Sequence, residues 1–154
     1  MAEDRTGGHE LDAPPWLRVE ATLMATARLI REAYDARLEA LGLHLSQASL
    51  LSYVADFGPQ AQSRIAERLA LGRAATGSMV DALEARGLVR RLPDPDDRRV
   101  WLVEITPEGK DVVAEIAEVD QRLRSELRAG TTREDRQQLA ELLVRLQSNL
   151  AALE

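Results

Sequence analysis

A change in hydrophobic periodicity in the middle of the chain restricts the fold more than any other feature of the sequence. Across residues 73–86 the apolar positions recur at intervals of three and four, which predicts one helix that Gly87 ends. Over residues 88–92, and again over residues 100–105, the pattern changes to a period of two, which predicts two strands. Residues 93–98 between them are polar and turn-forming. The pattern therefore predicts an antiparallel hairpin directly after a helix.

Three further helices are predicted before this unit. Each has a start signal followed by apolar residues at helical spacing, and these signals are Trp16, the N-cap residue Ser46 and Gln62. Each also has a glycine-containing end signal, which is Gly42, Phe57-Gly58-Pro59 or Leu71-Gly72 in that order. The third helix is short, and the tight break after it joins it to the next helix as a helix-turn-helix.

Two more helices are predicted after the hairpin. Thr106 is a good N-cap residue and Pro107 suits the first helical position, so a long helix begins there and ends at Gly130. Thr131 and Glu134 have the spacing of a capping box for the last helix. Its apolar stripe consists of Leu139, Leu142, Leu143, Leu146, Leu150 and Leu153. A terminal stripe of this kind packs either on its own domain or against a second chain.

The residue types that are missing exclude several classes of site. The 154-residue chain has no cysteine, which excludes a disulfide framework, a thiolate zinc site and a thiol redox switch. The two histidines, His9 and His44, are too few for a multi-histidine metal centre and have no nucleophile context, so we expect no enzyme, metal or cofactor. No apolar run approaches the roughly 18 residues of a membrane span. Residues 1–15 are polar and unlike a signal peptide, which predicts a mobile tail on a cytoplasmic protein.

Charge is distributed unevenly along the chain. The formal net charge is −6, with −4 on residues 1–60, +2 on residues 61–102 and −4 on residues 103–154. A nucleic-acid footprint is a local patch, so the basic middle third counts for more than the acidic total. This segment coincides with the predicted helix-turn-helix and hairpin. The same small excess also fits an ordinary solvated surface, and the charge by itself leaves both interpretations open.

Four stretches of the sequence together resemble the MarR family of bacterial transcriptional regulators. They are residues 64–71, 79–91, 95–99 and 105–109. The specific features are a helix ending in Leu-Glu-x-Arg-Gly-Leu-Val-x-Arg, an Asp-Arg-Arg loop and a Thr-Pro-x-Gly restart. The resemblance covers roughly residues 16–150. It implies a mainly α fold, a winged helix-turn-helix with a two-stranded β-wing and dimerisation helices at both ends.

The resemblance also implies a division of the chain and a mode of DNA binding. Residues 1–15 are the tail, residues 16–45 the N-terminal dimerisation helix, residues 46–105 the DNA-binding domain and residues 106–154 the C-terminal dimerisation helices. The family implies a homodimer whose two recognition helices enter successive major grooves of a pseudo-palindromic operator. Two-fold symmetry places such half-sites about 10 bp apart.

The helix over residues 73–86 is the implied recognition helix. Its outward N-terminal positions are Arg73, Ala74, Ala75, Gly77 and Ser78. Family members commonly carry Ser, Thr and Arg at the positions of Ala74, Ala75 and Ser78, whereas alanine methyls can contact a thymine methyl but donate no hydrogen bond. We therefore expect sparse direct readout, mainly by Arg73 and Ser78, and more dependence on the wing and on DNA shape.

The loop between the two strands is the implied wing. There Asp97 braces an arginine that enters the minor groove, which is Arg99 by motif position, while its neighbour Arg98 lies on phosphate. The alternative is that these arginines only pair with aspartates of the same loop. Other candidate phosphate contacts are Arg64, Arg68 and Arg90. Because Arg90 and Arg91 alternate on a strand, at most one of them faces DNA.

Many members of the family bind small aromatic or anionic ligands and then release DNA. The candidate pocket residues here are Trp16, Arg18, Tyr34, His44 and Tyr53. Each also has an ordinary interpretation, such as packing for the tyrosines, anchoring of the first helix for Trp16 and capping for His44. Trp101, on the second strand, is expected to brace the sheet. The missing cysteines exclude peroxide sensing through a thiol.

These features predict a sequence-specific, DNA-binding transcriptional regulator, with a homodimeric repressor released by a small molecule favoured over an activator. The expected partners are double-stranded DNA, a second copy of the chain and an aromatic or anionic effector, with no membrane. The alternative is a winged-helix module that binds protein and has lost specific DNA binding. The sparse recognition helix and the acidic total charge favour this alternative, whereas the arginines of the wing oppose it.

Overall fold

The computed structural model describes residues 14–153. The predicted tail lies outside these residues except for Pro14 and Pro15, and His9 lies outside them as well. Pro15 already belongs to a short 3-10 helix, Pro15–Leu17, which precedes the first α-helix. None of the helices within residues 14–153 combines the length and apolarity that crossing a membrane requires.

Six α-helices and three short strands follow this turn in the described part of the chain. They are α1 (Val19–Leu38), α2 (Leu45–Phe57), β1 (Gln60–Ala61), α3 (Gln62–Arg68), α4 (Arg73–Ala85), β2 (Val89–Pro93), β3 (Trp101–Ile105), α5 (Pro107–Leu127) and α6 (Arg133–Ala151). The mainly α fold with a winged helix-turn-helix is confirmed. The chain divides into two compact units between Ala117 and Glu118, within α5.

The core of the first unit brings together the helices of the helix-turn-helix and the sheet. Its fully buried side chains include Leu38, Leu50, Leu51, Val54, Ile65, Val80, Leu83, Val89 and Val103. The buried face of α4 is the predicted one, formed by Thr76, Met79, Val80 and Leu83. Since these positions recur every three or four residues, the opposite side of α4 faces solvent.

The sheet has three antiparallel strands in the order β1-β3-β2. The predicted hairpin is present, with Val89 opposite Ile105 and Pro93 opposite Trp101. The two-stranded wing is confirmed, and the sheet has a third strand that was not predicted, because β1 pairs through Gln60 and Ala61 with β3. A strand of two residues has no detectable hydrophobic period, so only the tertiary pairing reveals it.

Two helix starts differ from the prediction by one or two residues. The N-cap of α2 is His44, not Ser46: the His44 Nδ1 accepts from the Gln47 backbone N–H at 3.4 Å, and the Gln47 side chain accepts from the His44 N–H at 3.2 Å. The N-cap of α6 is Thr132, and its capping partner is Asp135 rather than Glu134. An imidazole nitrogen is a less common N-cap acceptor than a hydroxyl, and for this reason Ser46 was predicted to be the N-cap.

The tight break of the helix-turn-helix is centred on Ala70. Ala70 has φ 51°, in the left-handed region, whereas Gly72 has φ −62° and is the N-cap of α4. The prediction placed the break at Leu71-Gly72 because glycine is the usual left-handed residue. The left-handed conformation at Ala70 is closed by a hydrogen bond from the Leu71 N–H to the Ala66 carbonyl oxygen at 2.8 Å.

The Thr-Pro-x-Gly restart fixes the beginning of α5 against the end of the recognition helix. As predicted, Thr106 caps α5, because its hydroxyl oxygen accepts from the Gly109 N–H at 3.0 Å. The same hydroxyl donates to the Gly87 carbonyl oxygen at 2.6 Å. A Cβ at Gly109 would lie 2.1 Å from the Leu88 carbonyl oxygen, so only glycine fits this position.

Candidate nucleic-acid interface

The N-terminal half of α4 exposes most of the residues predicted to read DNA. Arg73, Ala74, Ala75 and Ser78 are exposed, whereas Thr76 among them is buried. The Ser78 hydroxyl donates to the Ala74 carbonyl oxygen at 3.2 Å, so it must rotate before it can donate to a base. Arg73 is the one long cationic donor among the predicted reading positions, and sparse direct readout stays a prediction.

Gly77 occupies a different environment from the other predicted reading residues. It is half-buried, and a Cβ added there would lie 3.1 Å from the Gln62 Nε2 at the start of α3. The space beside this glycine is therefore occupied by the side-chain amide of Gln62. Gly77 stays a predicted reading residue, but helical spacing alone did not show that Gln62 lies beside it.

The wing loop holds its predicted residues at the surface. Asp97, Arg98 and Arg99 are all exposed. Asp97 braces the loop through the backbone, since its Oδ1 accepts from the Arg99 backbone N–H at 3.0 Å and leaves the guanidinium of Arg99 free to reach outward. Within residues 14–153, neither Arg98 nor Arg99 forms an ion pair with an aspartate of the loop. The structure thus disfavours the alternative in which these arginines only pair locally.

Two of the candidate phosphate contacts lie on α3 near the N-terminus of α4. Arg64 and Arg73 line one concavity of about 650 Å³, whose wall also includes Ser63, Glu67 and Leu71. Arg68 is exposed at the end of α3. The N-cap of α4, Gly72, makes no side-chain cap, so the first backbone N–H groups of this helix lack a side-chain acceptor. Cationic side chains and free N–H groups at one helix start suit a phosphate.

The two adjacent arginines of β2 face opposite sides, as predicted. Arg90 is exposed and pairs with Glu104 at 2.6 Å. A phosphate contact by Arg90 must therefore compete with Glu104 for its guanidinium. Arg91 points to α4 instead, where it pairs with Asp81 at 2.6 Å and with Glu84.

Arg91 is the interface residue whose role the sequence did not reveal. Burial alone lowers the pKa of the Arg91 guanidinium, but hydrogen bonds and charge attraction from Asp81 and Glu84 outweigh it and raise that pKa. Glu84 also accepts from the Arg91 backbone N–H at 2.9 Å. In the sequence, Arg91 is recognisable as the last arginine of the Gly-Leu-Val-x-Arg motif. The motif does not show that Asp81 and Glu84 are its partners.

The five predicted ligand-pocket residues do not form one pocket within a single chain. Arg18 is the N-cap of α1 and Tyr34 is near its other end, about 24 Å away along a helix that rises 1.5 Å per residue. His44 lies near Tyr34, since Asp35 accepts from the Leu45 N–H at 2.7 Å, but its ring caps α2. Tyr53 contacts Phe57, with ring centroids 4.9 Å apart.

The two tryptophans are more exposed than a bracing or anchoring role requires. Trp16, in the turn before α1, is 74% exposed, and Trp101 on β3 is 55% exposed. Trp101 lies on the same face of β3 as the buried Val103 and Ile105, but at the end of the strand, where most of its side chain is uncovered, so the structure does not support the expectation that it braces the sheet. Arg18 differs from both, since its Nε is buried and has no hydrogen-bond partner among the described residues.

Comparison with known proteins places these features in one family. The model of the MarR family matches residues 43–101, which include α2, the helix-turn-helix and the hairpin. The crystal structure of the transcriptional regulator BldR from Sulfolobus solfataricus is 32% identical and has a TM-score of 0.75, with 88% of this chain and 94% of that chain covered. The HTH-type transcriptional regulator YdgJ of Bacillus subtilis is 25% identical, covering 88% of this chain and 83% of that protein.

A structure with DNA shares the same fold. A mutant of MarR from E. coli, in complex with operator DNA, has a TM-score of 0.78 at 23% identity, with 84% of this chain and 93% of that chain covered. The proteins of this family are transcriptional regulators rather than enzymes, as the sequence predicted. With its winged helix-turn-helix, its Asp-Arg-Arg wing and its relationship to BldR, the chain belongs to the MarR family of DNA-binding transcriptional regulators.

Proposed function

We propose that this chain is a homodimeric repressor that binds a pseudo-palindromic operator and is released from it by a small aromatic or anionic effector. The observation that carries the proposal is the state of the wing: Arg98 and Arg99 are exposed and without an ion pair among the described residues, while Asp97 holds the loop through its backbone. Exposed guanidinium groups without an internal ion pair are available to DNA phosphates and to the minor groove.

The contacts proposed with DNA follow from the exposure of each element. The N-terminal half of α4 enters the major groove and presents Arg73, Ala74, Ala75 and Ser78 to the bases. Arg64 and Arg68 contact phosphate beside it, and Arg90 does so after releasing Glu104. Arg99 enters the minor groove, where a narrow A·T-rich segment attracts a guanidinium. Arg98 contacts the adjacent phosphate.

The proposed dimer uses residues 16–45 and residues 106–154. Both segments expose large apolar side chains, which are Trp16, Leu17, Val19, Leu23, Met24, Leu29, Leu127, Leu139, Leu142, Val144, Leu150 and Leu153. Apolar surface of this extent on a soluble chain usually marks an interaction site. A second copy of the chain covers it without requiring a different partner, and two-fold symmetry then matches the pseudo-palindromic operator.

For the effector we propose two separate contact regions rather than one pocket. The region at the start of α1 offers Trp16 and the Arg18 Nε, which has no hydrogen-bond partner within residues 14–153, and this pair suits an anionic aromatic compound. The other region lies where the end of α1 meets the start of α2 and offers Tyr34 and His44. Tyr53 lies about 13.5 Å further along α2 and stays a candidate of its own. An effector releases DNA only if it binds the DNA-free conformation more tightly than the bound one.

The test is a footprint of the purified protein on the DNA upstream of its own gene, together with the mass of the complex. We expect two protected half-sites about 10 bp apart, occupied by two chains. One protected half-site with one chain would remove the homodimer and leave a DNA-binding protein. Absence of protection on this DNA, and on duplexes selected from a random library, would favour the protein-binding alternative.

A further inference from the structure

The recognition helix carries two carboxylates close to the surface that is proposed to enter DNA. Asp81 follows Ser78 by three residues and Gly77 by four, so it lies on the same side of α4, and its side chain is 69% exposed. Glu84 follows Asp81 by three residues, and its side chain is 38% exposed. A free carboxylate at this place is repelled by DNA phosphates on both sides of the major groove.

A single arginine from the neighbouring strand neutralises both carboxylates. Arg91 on β2 donates to Asp81 at 2.6 Å and through its other terminal nitrogen to Glu84, and its guanidinium also lies 3.4 Å from the Gln62 Oε1. Its side chain is 25% exposed, so the guanidinium is held between the two helices and the strand. Because Glu84 also accepts from the Arg91 backbone N–H, the geometry of the pair is fixed at both ends.

The arginine next to it provides an internal comparison. Arg90 faces the other side of β2, its side chain is 69% exposed, and its partner Glu104 lies on β3 rather than on α4. Two arginines adjacent in sequence therefore have different roles. Arg90 has the exposure of a phosphate contact, whereas Arg91 is fully engaged by groups of the protein.

We propose that Arg91 is a positioning residue for DNA binding, which acts as an internal counterion of Asp81 and Glu84 and itself contacts no phosphate. The inference rests on the proposed DNA-binding function. The recognition helix carries two acidic residues and one basic residue. With Arg91 as counterion, it presents no net negative charge to the major groove. The two carboxylates in turn restrict the movement of the Arg91 side chain. These contacts hold α4 beside β2.

The test is a charge-neutral rescue. The probe is a fluorescent duplex of the DNA upstream of the gene or, if that DNA does not bind, the tightest duplex that the wild type selects from a random library. We expect Arg91→Ala to weaken binding by about 10-fold or more, because it leaves two carboxylates uncompensated beside the phosphates. The triple variant Arg91→Ala/Asp81→Asn/Glu84→Gln should recover to within roughly 3-fold of the wild type.

The dependence of binding on salt separates an internal counterion from a phosphate contact. The triple variant should keep the wild-type slope of log K against log salt. The comparison variant Arg90→Ala should make this negative slope less steep by about 0.9, because it loses one phosphate contact. Arg91→Lys, which keeps the positive charge, should retain more affinity than Arg91→Ala. Thermal unfolding of every variant checks that the fold is intact.

Two results would overturn the inference. Suppose that the wild type binds but the triple variant remains as weak as Arg91→Ala, and that its slope of log K against log salt is less steep by the amount that one phosphate contact contributes. Then Arg91 contacts DNA directly. If Arg91→Ala binds like the wild type, the two carboxylates do not need neutralising. Absence of wild-type binding to any selected duplex would instead refute the proposed function, and the inference with it.

Discussion

The guanidinium of Arg86 donates to the carbonyl oxygen of Gly42 at 2.8 Å, although 44 residues separate the two positions. Its second terminal nitrogen donates to the Leu41 carbonyl oxygen, also at 2.8 Å. Arg86 directly follows the recognition helix, and Gly42 ends the turn after α1 in a left-handed conformation with φ 64°. One side chain thus ties the end of α4 to the end of α1.

Removal of this side chain should weaken folding only moderately. Both hydrogen bonds are exposed to water, so Arg86→Ala should lower the free energy of unfolding by about 0.5–1.5 kcal/mol. Arg86→Lys keeps the charge but not the two-pronged geometry, so its value should lie between those of the wild type and Arg86→Ala. Urea denaturation followed by circular dichroism measures all three. Equal stability of Arg86→Ala and the wild type would show that the link contributes nothing to folding.

A methyl group at Gly109 should be severely destabilising. Its Cβ would lie 2.1 Å from the Leu88 carbonyl oxygen, and because this oxygen belongs to the backbone the clash requires α5 or the backbone at Leu88 to move. We expect Gly109→Ala to cost more than about 3 kcal/mol in the free energy of unfolding, measured in urea.

Gly72 is the matched control for this substitution. It has an ordinary φ of −62° and no neighbouring atom within 4 Å of an added Cβ, so Gly72→Ala should cost less than about 1 kcal/mol. Similar losses for the two variants would mean that the Thr-Pro-x-Gly motif does not need its glycine for space.

The start of α6 should depend on pH through Asp135. The hydrogen bond from the Thr132 backbone N–H, and then that from the Thr132 hydroxyl, hold the pKa of the Asp135 carboxyl below its ordinary value of 3.8. Because the folded pKa lies below the unfolded one, this cap contributes stability above the unfolded pKa. That stability is lost as the pH falls through the folded pKa.

The measurement compares melting temperatures from about pH 7 down to about pH 3. The wild type should melt above Asp135→Asn at neutral pH, and the difference should shrink as the acid protonates Asp135. Glu134→Gln removes an exposed carboxylate from the same turn outside the cap and is the control. A difference between wild type and Asp135→Asn that stays constant over this range would contradict the assignment of the cap.

The leucine stripe of α6 should hold two chains together. Leu142 and Leu150 are 55% and 64% exposed in the single chain, and a charge at either position would have to be buried in the proposed interface. We expect the wild type to sediment as a dimer, and Leu142→Glu and Leu150→Glu to shift it toward monomer. Gln137→Glu adds the same charge to an exposed, polar position on the opposite side of α6 and should leave the mass unchanged. A monomeric wild type would contradict the proposal.

Local patterns were sufficient to predict the elements that position the interface. The period of α4 identified its buried face from Thr76 to Leu83, and the period of two identified β2 and β3 in the correct pairing. Thr106 was recognised as a cap because its partners are adjacent in sequence. Each of these signals is carried by residues that contact one another along a few positions of the chain.

The features that could not be predicted depend on contacts between distant residues. The partners of Arg91 lie on α3 and α4, the space beside Gly77 is filled by Gln62, and β1 exists only because β3 runs beside it. Alternation on a strand showed that only one arginine of β2 could face DNA, but not which carboxylates hold the other. Helix length separates Arg18 from Tyr34 within one chain, which spacing patterns did not reveal, and the ligand pocket stays a prediction.

The most direct test of the account is the affinity of Arg99→Ala for the operator duplex across a series of salt concentrations. The wild type should bind with a steep loss of affinity as salt rises, with a slope near −0.9 for each phosphate that it neutralises. Arg99→Ala should bind at least about 10-fold more weakly, because it loses the minor-groove contact. Arg128→Ala removes an exposed arginine from the turn between α5 and α6 and should bind as the wild type does. If Arg99→Ala instead retains wild-type affinity and slope, the wing does not contact DNA and the proposed mode of operator recognition is wrong.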